Sequence, residues 1–158
     1  MLKLDDRDLA ILRVLSTDGR ITKAQLAERV GLSASPCWER LRKLEDAGVI
    51  EGYNARLNLK KLGPHVTVFV AAELADHTPA SFRAFEESVQ HYQEVTACWA
   101  LGGGFDYLMQ IVTTDIDSYQ RLIDEMLEAR IGLARYFTYI VTKPVKSPSM
   151  PPIAELAE

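Results

Sequence analysis

Apolar residues recur every three or four positions through the first fifty residues and at shorter, strand-like intervals over much of the rest, so pattern alone divides the chain. Leu4-Asp5-Asp6 followed by Leu9, Ile11, Leu12 and Leu15 predicts a helix with an acidic first turn, a capping Asp and one apolar face, stopped by Gly19. Thr22 and Gln25 have the spacing of a capping box, and Leu26 and Val30 continue an inward face up to Gly31. A third helix opens at Ser33 or Ser35, either hydroxyl being able to cap it, with Pro36 tolerated in the first turn. On that helix Cys37, Leu41 and Leu44 share one face. Ser35, Glu39 and Arg42 then centre on the opposite face, flanked by Trp38 and Lys43.

Two short helices joined by a tight Gly turn are what a chain needs to lay one helix in the major groove. Arginine offers bidentate donors to guanine edges, and short polar side chains reach phosphates. The candidate DNA contacts are Ser33, Ser35, Pro36, Trp38, Glu39, Arg40, Arg42 and Lys43. Glu39 is repelled by phosphates unless it accepts from a cytosine amino group or from Arg42, which makes it a candidate specificity element. Arg40 falls on the flank, where it either contacts a phosphate or pairs with Glu45 or Asp46 to hold the helix in place. The competing view of residues 22–50 is a structural helical hairpin with solvated charges.

After Gly48, VIEGYNARLN (49–58) alternates as a short strand, and LNLKKLGP (57–64) is a connector. Four segments rich in β-branched and aromatic residues read as strands: VTVFVAAEL (66–74), VTACWAL (95–101), YLMQIVT (107–113) and RYFTYIVT (135–142). PASFRAFEESV carries Phe82, Phe85 and Val89 on one helical face. DIDSYQRLIDEMLEA carries Tyr119, Leu122, Ile123, Met126 and Leu127. The order β-α-β-β-α-β predicts a ferredoxin-like plait with both helices on one face of an antiparallel sheet. Alternation leaves the other face apolar, with Val95, Ala97, Trp99 and Leu101 on one side of their strand and Cys98 and Ala100 on the other. Such a sheet needs a second copy as cover, so a homodimer or larger assembly is expected, and a dimer suits two half-sites on double-stranded DNA.

The expected class is therefore α+β. A winged-helix-like helix-turn-helix domain covers residues 1–50, a strand and linker 51–64, the plait 65–146 and a Pro-rich, mostly irregular tail 147–158. Charge sharpens the division. Residues 1–62 hold twelve Lys and Arg against nine Asp and Glu, a balance of +3, while residues 63–158 hold six against thirteen, a balance of −7. Only the first half suits a polyanion. Cys37 and Cys98 do not make a disulfide framework, the N-terminus is acidic and lacks an apolar stretch of signal-peptide length, and no apolar run is long enough to span a bilayer. A reduced, cytoplasmic protein without membrane insertion is expected.

His65, His77 and His91 are scattered without His-x-x-x-His spacing, there is no Cys-x-x-Cys, and neither cysteine has an identifiable His partner. No metal or cofactor is expected, and catalysis by a small ferredoxin-like metabolic enzyme is the disfavoured alternative. The turn LGGGFD (101–106) has three successive glycines, giving free φ choice and no side-chain bulk for close approach to a ligand or subunit. Asp106 either receives an ammonium group or caps the turn; a plain flexible hairpin is the other reading of this segment.

These residues resemble a known family. Leu4-Asp5, Asp8-x-x-Ile11-Leu12, Gly31-Leu32-Ser33-x-Ser35-Pro36-Cys37, Arg40-Leu41-x-x-Leu44-Glu45 and Gly48-Val49-Ile50 look like the leucine-responsive (Lrp/AsnC, feast/famine) regulators. Gly103-x-x-Asp106-Tyr107-Leu108 and Thr138-Tyr139-x-Val141 are similar to that family's amino-acid-sensing domain, the likeness running from Leu4 to Lys146. The resemblance implies a transcription regulator whose dimers associate through the plait, commonly into octamers. It also implies an amino acid or related metabolite bound between dimers near the glycine turn, with Leu101, Gly102, Gly103, Gly104, Asp106, Tyr136 and Thr138 as effector-site residues. Pro36-Cys37-Trp38 with Trp99 and Phe105-Asp106-Tyr107 is similar to members governing amino-acid catabolism. Gly104 departs from the polar or charged residue often found there, removing a candidate ligand contact. The alternative to an effector-responsive, sequence-specific regulator is a DNA-architectural oligomer with little sequence preference.

Overall fold

The computed structural model describes residues 3–146 and 151–156, and the chain divides into two units, Met1–Arg56 with Lys146–Glu158, and Leu57–Val145. In the first unit, α1 (Asp6–Thr17), α2 (Lys23–Arg29) and α3 (Ala34–Asp46) enclose a core of Ile11, Leu26, Ala27, Val30, Cys37, Leu41 and Leu44. Each fully buried Ile or Leu contributes about 1.5–3 kcal/mol, so the predicted inward faces hold the three helices together.

The caps explain where the helices start. Asp5 accepts from the Arg7 and Asp8 amides at 3.0 Å each, and the Asp8 carboxylate in turn accepts from the Asp5 amide at 3.1 Å. Thr22 and Gln25 form the expected capping box. Gly31 at φ +64° and Gly48 at φ +69° take the left-handed conformation that ends α2 and follows α3.

The third cap departs from expectation. Ser33 occupies the N-cap position but its hydroxyl makes no capping bond, and Ser35 already lies inside α3. An N-cap oxygen accepts from the second or third amide of the helix; here the third residue is Pro36, which has none.

The strand expected over residues 49–58 does not form: Glu51–Asn58 is irregular and exposed, followed by one helical turn, α4 (Leu59–Leu62). Alternation specifies a strand only where a neighbour completes the ladder, and the first unit supplies none among the described residues.

The second unit is a plait of β1 (Val66–Leu74), α5 (Pro79–Val89), β2 (Val95–Ala100), β3 (Tyr107–Thr113), α6 (Ile116–Glu128) and β4 (Leu133–Ile140). The sheet order is β2-β3-β1-β4 and every pairing is antiparallel. Thr78 caps α5 and Asp115 caps α6 through their side chains. Val68, Val70 and Ala72 pair with Ile111, Met109 and Tyr107, and this row packs on Phe85, Val89, Tyr119, Ile123 and Met126.

One residue changes sides. A register shift between Val95 and Ala97 places Val95 opposite Ile111 and against the core, so Val95 leaves the side it was expected to share with Ala97, Trp99 and Leu101. Cys98 faces the core, half-buried. The tail contains one helical turn, α7 (Ile153–Leu156), where mostly irregular chain was expected; residues 147–150 and 157–158 of it lie outside the described residues.

Candidate nucleic-acid interface and effector site

The inward face of α3 is sealed by Cys37, Leu41 and Leu44, so geometry commits Ser35, Glu39, Arg42 and Lys43 to the outside, with Ser33 and Pro36 exposed at its start. The Arg42 side chain is 71% exposed and, among the described residues, its ion pair is with Asp46, at 3.6 Å one turn along. An exposed pair of this kind contributes a few tenths of a kcal/mol, so Arg42 leaves it at little cost. Trp38 is 39% exposed, and the Lys23 ammonium lies 3.1 Å from its ring centroid. This cation–π contact adds a positive charge from α2 to the rim of the α3 surface. Lys23 was absent from the expected contacts because periodicity does not show which residue of α2 meets α3.

Of the two roles open to it, Arg40 takes the pairing one in the structure, though with other partners than Glu45 or Asp46. Its Nη1 donates to Asp5 Oδ2 at 2.6 Å and Asp8 Oδ1 at 2.8 Å, and the Asp8 side chain is only 3% exposed. The guanidinium thus braces α3 against the capping box of α1. The expected partners Glu45 and Asp46 were the near ones in sequence; the actual acceptors lie 35 and 32 residues away. The Asp8 amide and then the Arg40 guanidinium hold the Asp5 carboxyl below its ordinary value.

At the far end of α3 the Tyr53 hydroxyl donates to Glu45 at 2.8 Å. Partial burial, reinforced by the Glu45 carboxylate, pushes the phenol up to about 12. Arg7 donates to the Val30 carbonyl at 2.6 Å, closing the end of α2. Helix α3 is therefore held by polar contacts as well as by its core face.

In the second unit the β2–β3 turn is closed by the Leu101 amide donating to the Asp106 carbonyl at 2.8 Å, and the Asp106 amide donates to Ala72 at 3.0 Å. Gly102, Gly103 and Gly104 are exposed, none has a left-handed φ, and a Cβ on any of them would meet nothing within 4 Å. The conformational freedom expected of these glycines is not used; their lack of bulk is what remains.

Asp106 is mostly buried, its side chain 17% exposed, and Oδ2 accepts from the Leu74 amide at 2.8 Å and faces His77 Nε2 at 3.1 Å. His77 was missed as a partner because 29 residues separate the two. Tyr136 is half-buried, in the row of Ala72 and Tyr107. Thr138 lies two residues further along β4, and its hydroxyl is paired with that of Tyr119. The structure thus gathers Leu101, the glycines and Asp106 in one turn, while Tyr136 and Thr138 stand on β4, separated from β3 by β1.

The sheet face away from the helices carries exposed Trp99, Phe137 and Tyr139. Phe105 packs edge-on against Phe137 at 5.4 Å, and Arg135 pairs with Glu73 beside them. Among the described residues no His, Cys, Asp and Glu cluster suits a metal ion, and no helix is long and apolar enough to cross a membrane.

Residues 4–51 match the winged helix-turn-helix DNA-binding family, and residues 67–151 match the Lrp/AsnC ligand binding domain. The chain is 59% identical over 148 residues to the transcriptional regulatory protein DoeX of Halomonas elongata, covering 94% of each. It is 41% identical over 143 residues to the leucine-responsive regulatory protein of Escherichia coli K12, covering 90% of this chain and 87% of that one. A transcriptional regulator from Neisseria meningitidis, solved as a complex with L-methionine, superposes with a TM-score of 0.90 at 34% identity, over 97% of this chain and 99% of the other.

Proposed function

This chain belongs to the Lrp/AsnC family of transcription regulators, and we propose that it is a homo-oligomeric, sequence-specific DNA-binding regulator whose assembly or operator affinity responds to an amino acid. It acts on double-stranded DNA in the cytoplasm. The observation that carries the reading is the outward face of α3, where Arg42 stands exposed beside Glu39 and Lys43 with only a weak partner to leave. One residue able to read guanine and one able to accept from cytosine on the same face favour base discrimination over backbone binding alone.

Two features support an effector at the β2–β3 turn. Three glycines that neither φ nor crowding within the chain requires suit the close approach of a body from outside it. The Neisseria relative, moreover, was solved with L-methionine, an amino acid of the class proposed. The apolar face bearing Trp99, Phe137 and Tyr139 suits burial against a second copy.

The test is a thermal-shift screen of the twenty L-amino acids followed by operator titrations with and without the best ligand. A ligand preferring the folded state raises the melting temperature by mass action. The reading holds if an amino acid both raises the melting temperature and changes operator affinity. It fails if no amino acid does either, or if the protein binds all duplexes equally.

A further inference from the structure

We propose that His77 is a positioning residue of the effector site, holding the Asp106 carboxylate so that its second oxygen receives the ammonium group of an amino acid; the inference rests on the effector reading above. A carboxylate oxygen can only accept, so the nitrogen facing it, Nε2, carries the hydrogen. Asp106 Oδ2 is thereby fixed by two donors, the Leu74 amide at 2.8 Å and His77 at 3.1 Å. Among the described residues no group donates to Oδ1.

The main chain of Asp106 is clamped as well, its amide to Ala72 and its carbonyl to Leu101. Side chain and backbone together leave the carboxylate little freedom beside the glycine turn. A group already held in its binding geometry loses less entropy when a ligand arrives. His77 is itself steadied by an edge-on contact with Phe82 at 6.0 Å, yet its side chain is 56% exposed, more than core packing alone would leave it. Without the imidazole, Oδ2 keeps one donor and the carboxylate gains freedom to turn toward water. His77 thus acts through Asp106.

The experiment is calorimetry on the full-length protein with the twenty L-amino acids, each compared with the carboxylic acid of the same skeleton lacking the amino group. Wild type, His77→Leu, His77→Gln and Asp106→Ala are measured. His77→Leu is expected to weaken the best amino acid about tenfold, the scale of a charge-assisted bond made less well, with little effect on the desamino acid. His77→Gln, whose amide can donate to Oδ2, should recover most of the loss.

The proposal is overturned if His77→Leu binds the amino acid as wild type does, if the desamino acid weakens equally, or if His77→Gln is no better than His77→Leu. Loss in Asp106→Ala with none in His77→Leu rejects the role of His77 and keeps the effector reading. Silence of both variants overturns the proposal and removes the effector from this turn; no binding by wild type rejects the effector reading itself.

Discussion

Arg40 Nη1 and Asp8 Oδ1 lie 2.8 Å apart, joining a partly exposed cation on α3 to a carboxylate almost sealed from water at the start of α1. Asp8 serves the cap of its own helix and the seat of α3 at once. Asp8→Ala should therefore destabilise the protein by about 1–3 kcal/mol, the cost of leaving part-buried donors unmet. Calorimetric melting checks this. Arg40→Ala should lower the melting temperature too, while operator affinity well below the transition stays near wild type. A large affinity loss in fully folded Arg40→Ala would return Arg40 to the DNA interface.

Acid should act on the same corner. The Asp5 carboxyl is held below its ordinary value, first by the Asp8 amide and then by Arg40. A carboxyl with a depressed folded-state pKa stabilises fully above its unfolded value, about 3.9, and that stability is lost as pH falls through the folded value. The melting temperature should thus decline below about pH 4. Asp5→Asn, which keeps an acceptor for the cap, should flatten the decline; an unchanged slope would show that Asp5 contributes nothing to it.

Arg42→Ala makes the opposite pair of expectations. Because the side chain is exposed and loosely paired, melting should be nearly unchanged. Specific-operator affinity should fall by about 1–3 kcal/mol, with discrimination between cognate and altered sites reduced. Fluorescence anisotropy with both duplexes reads this, and equal losses on the two would assign Arg42 to phosphate instead.

Gly103 separates intrachain need from outside need. With open space around its Cβ position and no left-handed φ, Gly103→Ala should alter ligand-free stability by less than about 0.5 kcal/mol. The amino-acid-induced rise in melting temperature or change in oligomer size should shrink. Retention of both responses would show that bulk is tolerated there.

Trp99 tests assembly. Trp99→Lys places a charge on the apolar face that also carries Phe137 and Tyr139. Loss of a buried aromatic anchor costs about 2–4 kcal/mol of association, so sedimentation at micromolar concentration should show dissociation. An unchanged mass would mean that this face is not the interface.

Where sequence and structure agree, the reason is local. VTVFVAAEL and YLMQIVT became strands at their expected bounds because alternation is dictated by the pleat, and PASFRAFEESV became a helix between a capping Thr78 and its last apolar residue. Disagreement arose wherever the deciding partner was remote. Arg40 turned to Asp5 and Asp8, Asp106 turned to His77, and residues 49–58 lacked a neighbour to pair with. Val95 changed faces through a single extra residue in its strand, which an alternating pattern cannot register. The Ser33 cap was readable only in part: Pro36 announces that one of the two amides such a cap can use is missing, while Ser35 keeps the other.

The two thiols are divided one to each unit, Cys37 in the helical core and Cys98 against the sheet core, and burial pushes both upward in pKa. A protonated, shielded thiol reacts slowly with alkylating reagents, so each becomes a clock for the opening of its own surroundings. Timed labelling read by mass at the two cysteine peptides would then report, in one sample, whether an added amino acid tightens the sheet unit alone or the helical unit with it.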